Sequence, residues 1–168
     1  MNKEQTLSEM QKIHTVCFTG HREILKSDAI RMPSVLSALI EKLFNSGATH
    51  FRTGGAMGFD TVAALCVIEA MQTHPEIKLD LILPCKNQTS GWTAPNILTY
   101  NYILSRSSSH RYICDTYQKG CMHERNRALV NGSQCCVAYL NKSSGGSAYT
   151  YSYAISSGLE VINLCDLL

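Results

Sequence analysis

The sequence has few of the features that mark a membrane protein, a secreted protein or a nucleic-acid binder. It contains no run of about 18 apolar residues, so we expect no membrane-spanning helix. Its 15 Lys and Arg residues against 13 Asp and Glu leave a formal net charge of +2, which is too small to indicate a nucleic-acid partner by itself. The segment Met1–Met10 is polar and carries acids, which does not fit a signal peptide, so we expect a cytoplasmic protein.

The cysteine spacings typical of metal sites are also missing. The chain has 8 cysteines but no Cys-x-x-Cys, and no His/Cys pair with zinc-like spacing recurs. Most of these cysteines lie in apolar runs, which favours small buried side chains with reduced thiols. We therefore predict no disulfide, no metal site and no resident cofactor.

What the sequence does have is an alternation of short apolar runs with segments of helical periodicity. Its 168 residues fit a single domain, predicted at 14–168 after a flexible lead-in at 1–13. The predicted strands are His14–Thr19, His50–Thr53, Lys78–Pro84, His110–Cys114, Gln134–Leu140 and Glu160–Leu164. The predicted helices are Ser27–Asn45, Asp60–His74, Asn96–Ser105, Met122–Asn131 and Tyr149–Ser157. Strands separated by helices of this length predict an α/β fold with a mainly parallel sheet and helices on both faces.

Three of the predicted strands each run into a glycine-bearing loop and then a helix. The loops carry Gly20, Gly54–Gly55 and Gly145–Gly146. In a parallel sheet all three would open at the carboxyl edge, where open α/β folds bind ligands. Backbone N–H groups and helix N-termini there favour an anion, most simply a phosphate. The sequence therefore predicts one pocket for a phosphorylated, nucleotide-like small molecule.

The first loop offers a hydroxyl and a cation. Thr19 supplies the hydroxyl, Gly20 allows the chain to turn close to a ligand, and Arg22 could pair two phosphate oxygens through its planar guanidinium. The alternative for Arg22 is an exposed side chain beside a turn.

The second loop is neither a Walker A loop nor a Gly-x-Gly-x-x-Gly dinucleotide loop. Gly54 and Gly55 instead allow an anion-binding nest at the start of a helix. Asp60 has two interpretations, as the N-cap of that helix or as an acceptor of hydrogen bonds from a ribose or base. Trp92, the only tryptophan, either stacks on a base or serves as a packing anchor.

Four motifs together resemble a known family. In order, they are Phe18-Thr-Gly-His-Arg22, Thr53-Gly-Gly-Ala-Met-Gly-Phe-Asp60, Met122-His-Glu-Arg-Asn126 and Gly145-Gly-Ser-Ala-Tyr-Thr150. They resemble the SLOG superfamily, which contains the DNA-processing protein DprA (Smf) and the LOG "lonely guy" cytokinin-activating enzymes, and within it the YpsA-like branch of the DUF1273 type. The resemblance runs from about Thr15 to Leu164 and implies a Rossmann-like three-layer sandwich.

The resemblance also implies roles for site residues. Arg125 matches the catalytic Arg of LOG enzymes, and Asn126 follows the YpsA-like pattern where LOG has Lys. The phosphate loop of LOG corresponds to Gly145, Gly146, Ser147 and Thr150. The chain departs from LOG at Tyr151, which stands where the catalytic Glu would be. That difference argues against the same reaction by the same residues, and Glu124 is the best substitute acid.

Three functions are compatible with these observations. The favoured one is binding of a nucleoside monophosphate, ADP-ribose or an NAD-like molecule. The alternative is a LOG-like nucleoside 5′-monophosphate phosphoribohydrolase, with Arg125 and Glu124 as catalytic residues. DprA-like binding of single-stranded DNA is the least favoured, because the charge is near neutral. The resemblance also implies a homodimer or larger homo-oligomer.

Overall fold

A computed structural model describes residues 12–168, so most of the predicted lead-in lies outside the described residues. The strands are β1 (Thr15–Gly20), β2 (His50–Thr53), β3 (Lys78–Cys85), β4 (Ser109–Cys114), β5 (Cys135–Tyr139) and β6 (Glu160–Asn163). The helices are α1 (Lys26–Ala29), α2 (Met32–Asn45), α3 (Phe59–Thr73), α4 (Ala94–Arg106), α5 (Cys121–Val130) and α6 (Gly146–Ser156). A 3₁₀ turn at Leu164–Asp166 follows β6. None of these helices is both long and apolar enough to cross a bilayer.

The six strands form one parallel sheet in the order β4-β3-β2-β1-β5-β6. The chain builds outward from β1 to β4 and then returns to the other side of β1 with β5. The carboxyl ends of β1 and β5 therefore form the topological switch point, where open α/β sheets leave a crevice. The predicted α/β fold class is confirmed.

Two hydrophobic cores cover the two faces of the sheet. Val16 and Phe18 belong to the larger core and Cys17 to the smaller one, because successive side chains of a strand point to opposite faces. Residues of α2, α3 and α4 complete the larger core, whereas α5 and α6 complete the smaller one. The sheet is thus the middle of three layers, as the resemblance implied.

The predicted helix Ser27–Asn45 was wrong as a continuous element. The structure divides it into α1, which ends at Ala29, and α2, which begins at Met32. Pro33 lies in the first turn of α2. A proline has no N–H to donate, and its ring would clash with the carbonyl four residues earlier, here that of Ala29. Pro33 therefore explains the break, which the spacing of apolar residues did not indicate.

Candidate ligand-binding site

A cavity of about 350 Å³ lies at the switch point. Eight of the predicted site residues line it: Thr19, Gly20, Arg22, Asp60, Arg125, Asn126, Gly146 and Ser147. Five further residues complete the wall: Phe18, His21, Ala56, Met122 and Leu129. The loops after β1, β2 and β5 therefore meet helix α5 around one space.

The loops after β1 and β2 pack directly on each other, and glycines make this possible. A Cβ on Gly20 would lie 2.6 Å from the Cβ of Phe59. Gly58 has φ of 80°, a left-handed conformation, and a Cβ there would lie 2.5 Å from the Cα of Arg22. The Phe59 N–H also donates to the His21 carbonyl at 3.2 Å. These contacts hold the backbone before Arg22 against the start of α3.

Asp60 does not cap its helix, contrary to one of its two predicted roles. The N-cap of α3 is Gly58, and Asp60 is the second helical residue. Its Oδ2 accepts a hydrogen bond from the Ala56 N–H at 3.2 Å. Burial raises the pKa of the Asp60 carboxyl, while the charge of Arg125 opposes that rise. Asp60 therefore lines the cavity from the α3 side with a carboxyl group that is costly to ionise.

Arg125 is the buried cation of the site, with 7% of its surface exposed. Its Nε donates to Asn126 Oδ1 at 2.8 Å, and its Nη1 donates to the Gly54 carbonyl. Burial lowers the pKa of the guanidinium, and the charge of Asp60 raises it. Arg22 is exposed and adds a second cation at the cavity wall.

Helix α6 begins three residues before the predicted start at Tyr149. Gly145, with φ of 95°, is its N-cap, so Gly146 and Ser147 form the first turn and line the cavity. The N–H groups of a first turn have no partner within their own helix. Thr150 is fully buried and donates its hydroxyl hydrogen to the Gly146 carbonyl at 2.9 Å. Thr150 and Gly145 therefore stabilise the first turn of α6 without being part of the cavity wall.

The other predicted residues lie elsewhere. Glu124 is exposed on α5 and is not part of the cavity wall, so the geometry does not support it as the catalytic acid. Gly54 lies against the guanidinium of Arg125 and is not part of either cavity wall. Gly55 and Trp92 line a second, smaller cavity of about 10 Å³. The two cavities share Ala56 and Asp60 as walls, so they adjoin.

His21 lines the main cavity but was not among the predicted site residues, although it belongs to the motif Phe18-Thr-Gly-His-Arg22. Its Nε2 accepts a hydrogen bond from the Lys142 N–H at 3.3 Å. Burial and, to a smaller degree, the charge of Lys142 lower the pKa of the imidazole. The apolar residues that line the cavity, such as Leu129, could not be distinguished in the sequence from ordinary residues of the hydrophobic core. No group of three or more His, Cys, Asp or Glu residues within 12–168 is suited to hold a metal ion.

Comparison with known families gives a match over most of the chain. The model of the YspA SLOG family (YpsA) matches residues 16–160. The uncharacterized SPbeta prophage-derived protein YoqJ of Bacillus subtilis (strain 168) is 28% identical over an alignment of 138 residues, and the alignment covers 74% of this chain and 81% of YoqJ.

Solved structures of DNA processing protein A have a similar fold. The protein from Streptococcus pneumoniae aligns with 89% of this chain at a TM-score of 0.63 and 19% identity. The protein from Helicobacter pylori, described as having a unique single-stranded DNA binding mode, aligns with 89% of this chain at a TM-score of 0.63 and 18% identity. The match covers 50% of the first protein and 64% of the second, so this chain spans only part of the length of each.

Proposed function

Because this chain belongs to the YspA SLOG family, we propose that its main cavity binds the phosphate group of a nucleotide-derived molecule. A nucleoside monophosphate, ADP-ribose or an NAD-like molecule is the class of ligand that fits. One observation carries the proposal: the buried guanidinium of Arg125 and the first turn of α6 line the same cavity.

Both features attract the same kind of group. Of the five N–H donors of a guanidinium, two are used by Gly54 and Asn126, and the others remain for a ligand. The first turn of a helix adds backbone donors and the positive end of the helix dipole. Arg22 adds a second charge that can approach the same anion. A phosphate would compensate the cost of burying Arg125, which Asp60 offsets only in part.

The size of the cavity also fits a small metabolite. Pockets for small molecules commonly measure about 300–1,000 Å³, and the main cavity measures about 350 Å³. Its walls combine apolar side chains with a few charged ones, which is typical of such pockets.

The second candidate function is hydrolysis of the base–ribose bond, and it now depends on Asp60. Of the wall residues, Asp60 is the one carboxylate, and burial raises its pKa. A carboxyl group with a raised pKa can remain protonated and act as a general acid. If the protein is a hydrolase, Asp60 rather than Glu124 is therefore the residue to test.

The first experiment measures thermal stabilisation by AMP, ADP-ribose, NAD and ribose 5-phosphate, with adenosine as the compound that lacks phosphate. A ligand at 100 times its Kd adds about 2.7 kcal/mol to the stability of the fold. We expect the phosphorylated compounds to raise the melting temperature and adenosine to have little effect. A protein that adenosine stabilises as well as AMP would contradict phosphate recognition.

Two arginine variants test the site itself. Arg125→Ala should abolish the shift, whereas Arg127→Ala, on the exposed side of the same helix, should keep it. An unchanged shift in Arg125→Ala would remove Arg125 from the site. Light scattering on the same samples would test the homo-oligomer that the family resemblance implies.

Two further assays separate the competing functions. Release of free base from AMP, lost in Asp60→Asn and retained in Glu124→Gln, would support the hydrolase. A thymidine oligonucleotide that binds more tightly than AMP would favour binding of single-stranded DNA, the property described for the Helicobacter pylori relative.

A further inference from the structure

Three buried polar atoms lie close to the loop that follows β2 and have no hydrogen-bond partner within residues 12–168. They are Thr53 Oγ1, Gln88 Oε1 and the Tyr100 hydroxyl. Leaving such an atom unpaired is unfavourable, and each one in a folded protein calls for an explanation. For Gln88 Oε1, a ligand that supplies the missing partner is one explanation.

The orientation of Gln88 is determined by its other contact. Its Nε2 donates to the Gly54 carbonyl at 3.1 Å, which leaves Oε1 as the unpaired atom. A Cβ on Gly55 would lie 3.4 Å from this Oε1 and 3.4 Å from Cε2 of Tyr100. Gln88 is only 8% exposed. A buried acceptor therefore lies next to Gly55, which forms part of the wall of the second cavity, although Gln88 itself is not part of that wall.

Two aromatic rings form part of the wall of this second cavity. Trp92 and Tyr100 both line it and meet edge to face, with ring centroids 5.7 Å apart. Burial raises the pKa of Tyr100 to about 12, so its hydroxyl keeps its hydrogen at neutral pH. Because Ala56 and Asp60 line both cavities, an aromatic end and an anion-binding end adjoin.

We propose that the second cavity receives the base of the nucleotide whose phosphate occupies the main cavity, and that Gln88 Oε1 accepts a hydrogen from an exocyclic amine of that base. This inference rests on the proposed function. Gln88 Oε1 can only accept, so it discriminates an amino group from a carbonyl at the same ring position. An adenine base therefore fits, and a hypoxanthine base leaves two acceptors facing each other.

Entry of a base requires Trp92 to move. The second cavity measures about 10 Å³, which is room for about one water molecule. Trp92 lies in the loop between β3 and α4, next to Gly91. Gly91 has φ of 80°, and a Cβ added there would meet no atom within 4 Å, so this part of the loop is loosely packed. Base binding should thus change the surroundings of the single tryptophan, and ribose 5-phosphate should not.

The test is a titration followed by tryptophan fluorescence and, independently, by calorimetry. AMP should change the emission and bind at least about tenfold more tightly than IMP, since a buried polar group left unpaired penalises the wrong ligand. Ribose 5-phosphate should bind without a change in emission. Equal binding of AMP and IMP would overturn the role of Gln88.

Two variants separate the base site from the phosphate site. Gln88→Met should reduce the affinity for AMP to that for IMP while the affinity for ribose 5-phosphate stays the same. Gln72→Met, at an exposed position of α3, is the matched control and should bind AMP as the unmodified protein does.

The two proposals fail in distinguishable ways. If ribose 5-phosphate binds but AMP leaves the tryptophan emission unchanged, the base site is wrong and the phosphate site stands. If no phosphorylated compound binds, the proposed function is wrong and the base site falls with it.

Discussion

The guanidinium of Arg125 lies against Gly54 and donates a hydrogen bond to its carbonyl oxygen. A Cβ on Gly54 would lie 2.6 Å from the Cζ of Arg125, so only glycine allows this approach. The same carbonyl accepts the hydrogen bond from Gln88. One peptide group thus orients both the cation of the main cavity and the acceptor of the second cavity.

We predict that Gly54→Ala keeps the fold but weakens ligand binding. Gly54 does not have a positive φ, so alanine suits the backbone, and the added methyl must displace the flexible end of Arg125. The stabilisation by AMP should fall to the level of Arg125→Ala. In the double variant the loss should be no greater than in Arg125→Ala alone, because both changes act through one group. Additive losses would contradict this explanation.

We predict that Gly58→Ala destabilises the fold more than Gly158→Ala does. Both glycines have φ of 80°, so both substitutions place a side chain at a positive φ, which costs at least about 1–2 kcal/mol. A Cβ on Gly58 would also overlap the backbone of Arg22, whereas one on Gly158 would meet nothing within 4 Å. The additional cost for Gly58 should be about 1–3 kcal/mol. Urea unfolding measures the difference, and equal midpoints would be evidence against the packed loops.

We predict that Tyr139→Phe costs about 1–3 kcal/mol, the usual cost of leaving buried hydrogen-bonding groups unpaired. The fully buried Tyr139 donates its hydroxyl hydrogen to Asp28 Oδ2 at 2.7 Å and accepts from the Leu25 N–H at 3.2 Å. These bonds hold the segment that follows Arg22, so affinity for AMP should also fall.

The matched control for that variant is Tyr117→Phe. Tyr117 is 60% exposed, and such surface changes usually stay within about 0.5 kcal/mol. Thermal unfolding of both variants checks the comparison. A loss in Tyr117→Phe equal to that in Tyr139→Phe would refute the role of the buried hydroxyl.

We predict that the stability of Asp60→Asn relative to the unmodified protein increases as pH rises. Burial raises the folded-state pKa of Asp60 above its ordinary value of 3.8, so the folded state binds this proton more tightly than the unfolded chain. The stability that the protonated carboxyl contributes is complete below pH 3.8 and is lost as pH rises through the folded pKa. Urea unfolding over a pH series measures the free energy of unfolding of both proteins. The value for Asp60→Asn minus the value for the unmodified protein should increase as pH rises.

Asp115→Asn is the control of opposite sign. The exposed Asp115 pairs with Lys86 at 2.7 Å, which lowers the pKa of its carboxyl. Its contribution is therefore present at neutral pH and is lost as pH falls. A difference for Asp60→Asn that decreases as pH rises would contradict a raised pKa at that position.

Much of the fold could be predicted because its signals are local. Short apolar runs predicted both ends of all six strands to within one residue, since a buried parallel strand forms a short apolar run in the sequence. The helix Ser27–Asn45 was wrong because periodicity counts apolar positions and ignores what Pro33 does to the carbonyl of Ala29. The start of α6 was predicted late because Gly146 and Ser147 are poor helix formers in isolation.

The site was harder to predict because it depends on the rotation of a helix. Glu124 and Arg125 are adjacent, so their side chains point about 100° apart around α5. The buried face of α5 carries Cys121, Arg125 and Leu129, four residues apart, and this places the Arg rather than the Glu at the cavity. Helical periodicity alone could not choose between them, and only the motif resemblance indicated Arg125.

The sequence by itself determined the α/β alternation, the glycine loops at the carboxyl ends of the strands and the family motifs, because these depend on neighbouring residues and on backbone preferences. Only the tertiary structure decided which loops meet. The strand order places β5 beside β1, so Gly20 and Gly146 share one cavity and Gly55 lines the next. Strand order and helix rotation are set by packing between residues far apart in the chain, and no local pattern encodes them.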